Sequence, residues 1–438
     1  MSHDAPTLAG RLSQLVRVPT ITPPDGGPLT SETARVFEEL HALLRGLYPT
    51  VFSTAEVIPV GRAGLLLRLA GTGDGTGATA LGPVLLMAHQ DVVPAPTHDW
   101  ESAGWSHPPF AGVVQDGEDG LTVYGRGTLD DKGALLVLLE AVEDLVSEGW
   151  APHEDLYLSL GGDEESDGPS AVAAIAELER RGVTPALVVD EGGAVTTGVV
   201  PGLTRQVAVV GVAEKGVVNL EVSVSADPRK PAHSSTPPRH SPTAALGRAL
   251  AALERNPHPA VLDDIAVRMF TELAPYVSSP LKLLLSRADQ LRPVLAQVFP
   301  YVTAELAAMV RTTTAATMLT GSSAPNVLAS RATAIVNMRV ATSSTLAGAT
   351  RHVEKVVHRA VGSALTVEVR VLEGHEPTQA SPFDERWDAI RAAIAASYPD
   401  TLTVPYTMLG ASDSRHAARI APAVYRFSPL FMSAAQRA

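Results

Sequence analysis

An imidazole and several carboxylates stand in this chain at places where apolar runs end. Residues 84–93 (Val-Leu-Leu-Met-Ala-His-Gln-Asp-Val-Val) run as a strand into His89-Gln90-Asp91. Residues 121–124 lead through Gly125-Arg126-Gly127 to Asp130-Asp131, residues 155–160 lead to Asp163-Glu164-Glu165, and residues 186–189 lead to Asp190-Glu191. One histidine among several acids is a ligand set that suits zinc, manganese or cobalt. Each stretch alone has an ordinary reading. Asp130-Asp131 before Lys-Gly and an apolar run can start a helix, Glu164-Glu165 can be a solvated turn, and a histidine at a strand end is usually just hydrogen-bonded. Their joint arrival at the ends of four strands argues for chemistry, because ligands bind at the C-terminal edge of an open α/β sheet. His89 and Asp91, two apart, share a face, and a carboxylate there can hold the second ring nitrogen of a metal-bound imidazole.

The elements that must position these groups alternate. Helical spacing covers residues 7–16 and 31–47, an apolar helix is predicted over 133–146 directly after Asp130-Asp131, and another over 169–181. Strand and helix thus alternate through the acidic strand ends, which predicts a doubly wound, mostly parallel sheet. The Gly-rich segment 71–77 reads as a hairpin tip and not a phosphate loop, since no helix follows it. Trp100 to Phe110 is a proline-rich fixed loop.

At about residue 207 the pattern changes. Strands are predicted over 207–212, 216–224, 332–340 and 365–371, with helices over 242–255 and 344–360, and none of these strands ends in acids. The reading is an inserted smaller α+β lid or dimerisation domain at 207–373, containing a helical excursion at 258–320. The catalytic domain is then 1–206 with 374–438, closed by a helix near 384–397 and a last loop and strand over 408–431.

Composition narrows the partners. The chain has 438 residues, 45% hydrophobic, and a formal net charge of −13 with the acids dispersed, which argues against nucleic acid or an anionic membrane and for a small or neutral substrate. Without cysteine a thiolate metal site and a disulfide frame are both excluded. The first residues show neither a basic nor an apolar leader region, and no run of about 18 apolar residues occurs, so a cytoplasmic protein is expected.

Met87-Ala-His89-Gln-Asp91-Val-Val-Pro, Tyr124-Gly-Arg-Gly-Thr-Leu-Asp130-Asp131-Lys-Gly, Asp163-Glu164-Glu165 and Asp190-Glu191-Gly-Gly resemble the motifs of the aminoacylase, succinyl-diaminopimelate desuccinylase and Gly-X carboxypeptidase family of di-zinc peptidases, clan MH. The likeness runs from about residue 10 to residue 430. Trp105-Ser-His-Pro-Pro-Phe110 and Tyr425-Arg-Phe-Ser-Pro429 resemble the branch of carboxypeptidase S and the N-fatty-acyl amino acid hydrolases.

That resemblance implies two Zn2+ ions, or Co2+ or Mn2+ in their place, roughly 3.5 Å apart. It makes His89 a ligand of the first metal with Asp91 behind it, Asp130 the bridge with a cis peptide bond after it, Glu165 a ligand of the second metal and Glu164 the general base. Asp190 or Glu191 completes the first site, with Asp190 preferred. His233 corresponds to a histidine that stabilises the oxyanion from the small domain, across a dimer in some members. Asn326 and Arg339 correspond to a polar pair that meets the substrate, and Arg415 is a second candidate for the substrate carboxylate. The implied substrate is a dipeptide or N-acyl amino acid with a free C-terminal carboxylate, the implied assembly a homodimer through the inserted domain, and catalysis is expected to need closure of the two domains.

Relatives carry a further histidine beyond Arg-Phe-Ser-Pro-Leu-Phe as a ligand to the Glu165 metal. The sequence here ends at Ala438 without it, and His416 is the only histidine after His375. A weak Glu165 site, and with it an impaired or non-catalytic relative as the alternative, is the corresponding expectation.

Overall fold

The computed structural model describes residues 4–23, 26–73, 81–117, 120–198, 203–227, 229 and 234–432. The larger domain is built on an eight-stranded sheet, in the order Glu56–Val60, Gly64–Leu69, Leu156–Gly161, Val84–His89, Leu187–Thr196, Val424–Met432, Val207–Glu214, Leu402–Met408. Its centre is parallel, with Val84–His89 flanked by parallel strands on both sides, and its first two strands form an antiparallel edge. Such strands read as near-continuous apolar runs because both faces are covered. Leu65, Leu67 and Leu69 pack beneath Leu135, Leu136 and Leu139 of the helix Lys132–Ser147. Leu66, Leu85 and Met87 pack on the other face beneath Ala171, Ala174 and Ile175 of the helix Pro169–Arg180. Each leucine so buried contributes about 1.5–3 kcal/mol.

The smaller domain is a four-stranded antiparallel sheet in the order Thr313–Thr320, Arg331–Val340, Gly216–Ser225, Thr366–His375. Ala332, Ala334, Val336, Met338 and Val340 alternate inward along one strand, against Leu246 and Ala249 of the helix Pro242–Arg255 and Val353 and Val357 of the helix Leu346–Val361. This is the period-2 pattern of a sheet covered on one face.

Two expectations about the inserted domain are corrected. The strand Val207–Glu214, expected to open it, pairs in the large sheet with Leu402–Met408, so the chain crosses between domains at Lys215, not 207. The helices of the excursion, as far as Val310, leave the small domain, whereas its last residues, Thr313–Thr320, form a strand of the small sheet and not a helix. Ala266, Met269, Phe270 and Phe299 form one core with Val207 and Val404 of the large sheet. Its helices lack a sheet face of their own to cover, and the end of the large sheet supplies one. Residues 74–80 of the Gly-rich segment lie outside the described residues. Among the described residues no helix is long and apolar enough to cross a membrane.

Candidate metal centre

Register brings the acidic ends together. His89 pairs with Gly161 across parallel strands, and the buried Gln90 fixes that alignment, its N donating to Gly161 O at 2.8 Å and its Nε2 to Leu160 O at 2.9 Å. Asp91, fully buried, does more than its expected work behind His89. Its carboxylate accepts from Glu164 N at 3.0 Å, Glu165 N at 3.1 Å and Thr22 Oγ1 at 3.1 Å, so it fixes the backbone that carries both glutamates. His89 Nδ1 lies 3.0 Å from the Asp91 carbonyl oxygen and 3.4 Å from Asp91 Oδ1. Both neighbours are acceptors, so Nδ1 carries a proton and Nε2 is turned toward the other acids. Asp163 closes the turn by accepting from Ser170 N at 2.7 Å and pairing with Arg62 Nε at 3.0 Å.

His89 Nε2 lies 2.9 Å from Asp130 Oδ1 and 3.7 Å from Glu191 Oε1. One ligand atom each from His89, Glu164 and Glu191 lies within 4.8 Å of the others, and the same holds for His89, Asp130 and Glu165. The Asp130–Asp131 peptide is cis, as the resemblance implied. Asp131 is fully buried and accepts from His89 N at 3.1 Å.

The electrostatics are those of a site short of positive charge. Burial alone would lower the His89 imidazole, yet Glu191, Asp130 and Asp91 hold it well above its ordinary value. Burial lifts Glu164 to about 7 and pushes Glu191 well above the usual carboxylate range. Glu165 is raised by burial and then by Asp130. Acids crowded against one imidazole in a buried place repel one another, and a divalent cation relieves that repulsion. The donor set, one nitrogen and carboxylate oxygens, fits zinc, cobalt or manganese.

The structure turns the last two acids different ways. Asp190 Oδ2 accepts from Ser414 N at 2.7 Å, turned to the loop behind the sheet, and Glu191 is the acid that faces His89. On an extended strand successive side chains point to opposite faces, so only one of the pair can face the centre.

A cleft of about 1000 Å³ opens from this cluster, and Asp130, Glu164, Glu165 and Glu191 line it. Its other wall belongs to the small domain, where Arg339, Asn219 and His375 face the acids. Arg415 also lines it, with Nη1 3.8 Å from Glu164 Oε1 and Nη2 3.6 Å from Asp167 Oδ1. His416 lines the cleft too, its Nε2 buried and without a hydrogen-bond partner among the described residues. Burial lowers it to about 4.

Asn326 does not join Arg339. It is exposed and precedes the Arg331 end of a strand whose Arg339 end reaches the cleft, and at about 3.4 Å per residue these ends are roughly 27 Å apart. His233 lies outside the described residues. Sequence reasoning missed Asp131, Gln90, Ser412, Ser414 and the pair Glu214–Arg426. Glu214 is itself an acid at a strand end, a signal overlooked because its strand was placed in the other domain.

A wound α/β domain with a carboxylate-rich candidate metal site, faced across the cleft by Arg339 of the smaller domain, is an arrangement suited to metal-dependent hydrolysis. Residues 85–435 match the model of peptidase family M20/M25/M40, and the chain belongs to that family. It is 33% identical over 421 residues to the N-fatty-acyl-amino acid synthase/hydrolase PM20D1.1 of Danio rerio, spanning 94% of this chain and 77% of that one. To the human N-fatty-acyl-amino acid synthase/hydrolase PM20D1 it is 31% identical, spanning 96% and 80%. A probable carboxypeptidase S-like protein of Dictyostelium discoideum is 29% identical over 90% of this chain and 73% of its own. The fold matches an M20 family metallo-carboxypeptidase of Sulfolobus solfataricus at a TM-score of 0.61 and 17% identity, covering 97% of this chain and 91% of that one. Human carnosine dipeptidase 1 matches at 0.59 and 17%, covering 98% and 89%.

Proposed function

We propose that this chain is a zinc-dependent amidohydrolase that frees a C-terminal amino acid from an N-acyl amino acid, N-fatty-acyl substrates above all, or from a dipeptide. The observation that carries this reading is His89 and its ring of carboxylates at one wall of a cleft whose other wall holds Arg339. The relatives named above support the acyl preference, as do the apolar side chains Leu129, Val217, Met408 and Met432 along the cleft. The alternative of a non-catalytic relative has no observation in its favour.

His89, Asp130 and Glu191 would hold one cation, and Asp130 with Glu165 the second. Bound there, the cations supply Lewis acidity toward a carbonyl and lower the pKa of a water. Glu164 takes a proton from the attacking water at its carboxylate and returns it to the departing nitrogen. Asp91 keeps Glu164 in place through the backbone and keeps the His89 ring oriented through Nδ1. Arg339 receives the free carboxylate in charge-assisted hydrogen bonds, which sets the scissile bond between the lid and the acids. His233 is assigned the stabilisation of the tetrahedral oxyanion.

Asn326 sits too far from Arg339 to meet the same substrate within one chain, and the strand Thr313–Thr320 beside it leaves Met318 and Leu319 exposed on a sheet edge. Unpaired edges invite pairing with a second copy, and we infer a homodimer in which Asn326 serves the partner's cleft. The function is tested by incubating zinc-loaded protein with N-fatty-acyl amino acids and Gly-X dipeptides. Release of free amino acid is expected, with the N-acyl substrates favoured. Equal inertness toward both classes would reject the reading.

A further inference from the structure

We propose that the buried ion pair Glu214–Arg426 is a positioning device, which ties the crossing between the two domains to the loop and strand end that set Glu164 and Glu191. Arg426 Nε donates to Glu214 Oε2 at 2.8 Å, and both side chains are at most 1% exposed. Among the described residues Glu214 Oε1 and Arg426 Nη2 find no hydrogen-bond partner. A buried pair with polar atoms left over adds little stability beyond an apolar pair of the same volume, so its contacts are the better guide to what it does.

On one side it reaches the domain crossings. Glu214 ends its strand immediately before Lys215, its N donates to Thr378 Oγ1 at 2.9 Å, and its carbonyl accepts from Thr378 N at 3.1 Å. Outgoing and returning chains therefore meet at Glu214. At Gly216 they pass so closely that a Cβ would lie 2.6 Å from His375 O and 2.7 Å from Pro377 N.

On the other side it reaches the active site. Ser412 Oγ donates to Glu214 Oε2 at 3.4 Å and bonds Ser414 Oγ at 2.7 Å, while Ser414 N donates to Asp190. Arg415 Nη1 donates to Ser412 O at 2.9 Å and stands beside Glu164. The Arg426 stem closes the space behind the Glu191 strand end, 3.0 Å from where a Cβ on Gly192 would fall. A shift of the lid that carries Arg339 is thereby passed to the loop beside Glu164. Arg415, 3.8 Å from Glu164, acts in this proposal as a holder of that carboxylate. The inference rests on the roles of Glu164 and Glu191 proposed above.

Two variants of the zinc-loaded full chain test it, Ser412→Ala, which removes the hydroxyl that joins Glu214 to Ser414 in the loop, and Glu214→Gln, which keeps shape and removes charge. Steady-state kinetics on an N-acyl amino acid, zinc content and amide hydrogen exchange are read together. For Ser412→Ala, kcat should fall about tenfold, the worth of one hydrogen bond to a charged group, with KM and zinc content unchanged. Exchange should quicken in 410–416 and not in 376–378. For Glu214→Gln it should quicken in both segments together. A purely structural pair would lower stability without this split between kcat and KM. Unchanged kcat in Ser412→Ala overturns the proposal even if Glu214→Gln does not fold, as does a Glu214→Gln protein whose two segments exchange as in the unaltered chain. An unaltered chain without activity would instead reject the hydrolase reading, and the exchange data would still judge the coupling.

Discussion

Glu164 and Glu165 are neighbours in sequence with separate proposed tasks, and their surroundings differ. Glu164 is pressed against Arg415 and lifted by burial to about 7, where a carboxylate can both take and return a proton. Glu164→Gln keeps size and removes the proton acceptor, so turnover should fall by roughly 10² to 10⁴ with metal content unchanged. Steady-state rates and metal analysis on the same preparation decide this, and activity within tenfold of the unaltered chain would remove Glu164 from the role. Glu191 and Asp190 separate in the same way. Glu191→Ala should lower the zinc bound per chain, whereas Asp190→Asn should leave it unchanged, and the opposite pattern would restore Asp190 as the ligand. The motifs around His89 and Glu165 were legible because residue type and strand-end position coincide there, whereas Asp130, expected at a strand end of the same sheet, lies in the turn before the helix Lys132–Ser147, and the strand Gly120–Tyr124 ahead of it pairs with Val113–Gly117 in a separate two-stranded sheet. Asp190 and Glu191 were not separable, since which of two adjacent acids faces the centre depends on the strand's orientation in the sheet. Asp91's hold on two backbone amides was equally hidden, because nothing in a sequence marks which amides a carboxylate will meet.

At the scale of elements, strand order decides what sequence periodicity cannot. The strands Val207–Glu214 and Gly216–Ser225 are both apolar and nearly contiguous, yet they belong to different sheets. The excursion's helices have the spacing of a buried face, and the partner of that face, Val207 and Val404, is set by tertiary contact. Lys215, buried between the two sheets, donates to Arg311 O at 2.7 Å where the chain returns from the excursion. Burial lowers its ammonium to about 8 from 10.5. Between those values the unfolded chain keeps a proton that the folded chain has shed, so this group makes stability rise with pH across that window. Below about 8 both states are protonated and the cost of the buried charge is present in full. Lys215→Met should therefore be most favourable relative to the unaltered chain near pH 7.5, and that advantage should shrink toward pH 9.5. Urea unfolding at both pH values measures it, and a difference that does not change with pH would contradict the linkage.

For the whole molecule, residues of both domains line the cleft, and the distance of Asn326 from Arg339 is what the proposed second copy would explain. If Asn326 serves the partner's cleft, Glu164→Gln and Asn326→Ala chains, each weak alone, should regain activity when mixed and allowed to exchange subunits. In a mixed dimer one cleft receives both intact residues, so about a quarter of all clefts should be competent at equal amounts. No recovery, with mixed dimers demonstrated, would place Asn326 outside the reaction. The central claim is that the carboxylate ring around His89 holds metal in order to cleave an amide. It is tested most directly by following release of free amino acid from an N-fatty-acyl amino acid by chelator-stripped protein as zinc is added back. Activity should be absent in the stripped protein and return in step with zinc bound, and the Glu164→Gln chain should bind the same zinc without that return. Full activity in the stripped protein, or zinc bound with no hydrolysis by the unaltered chain, would contradict the account.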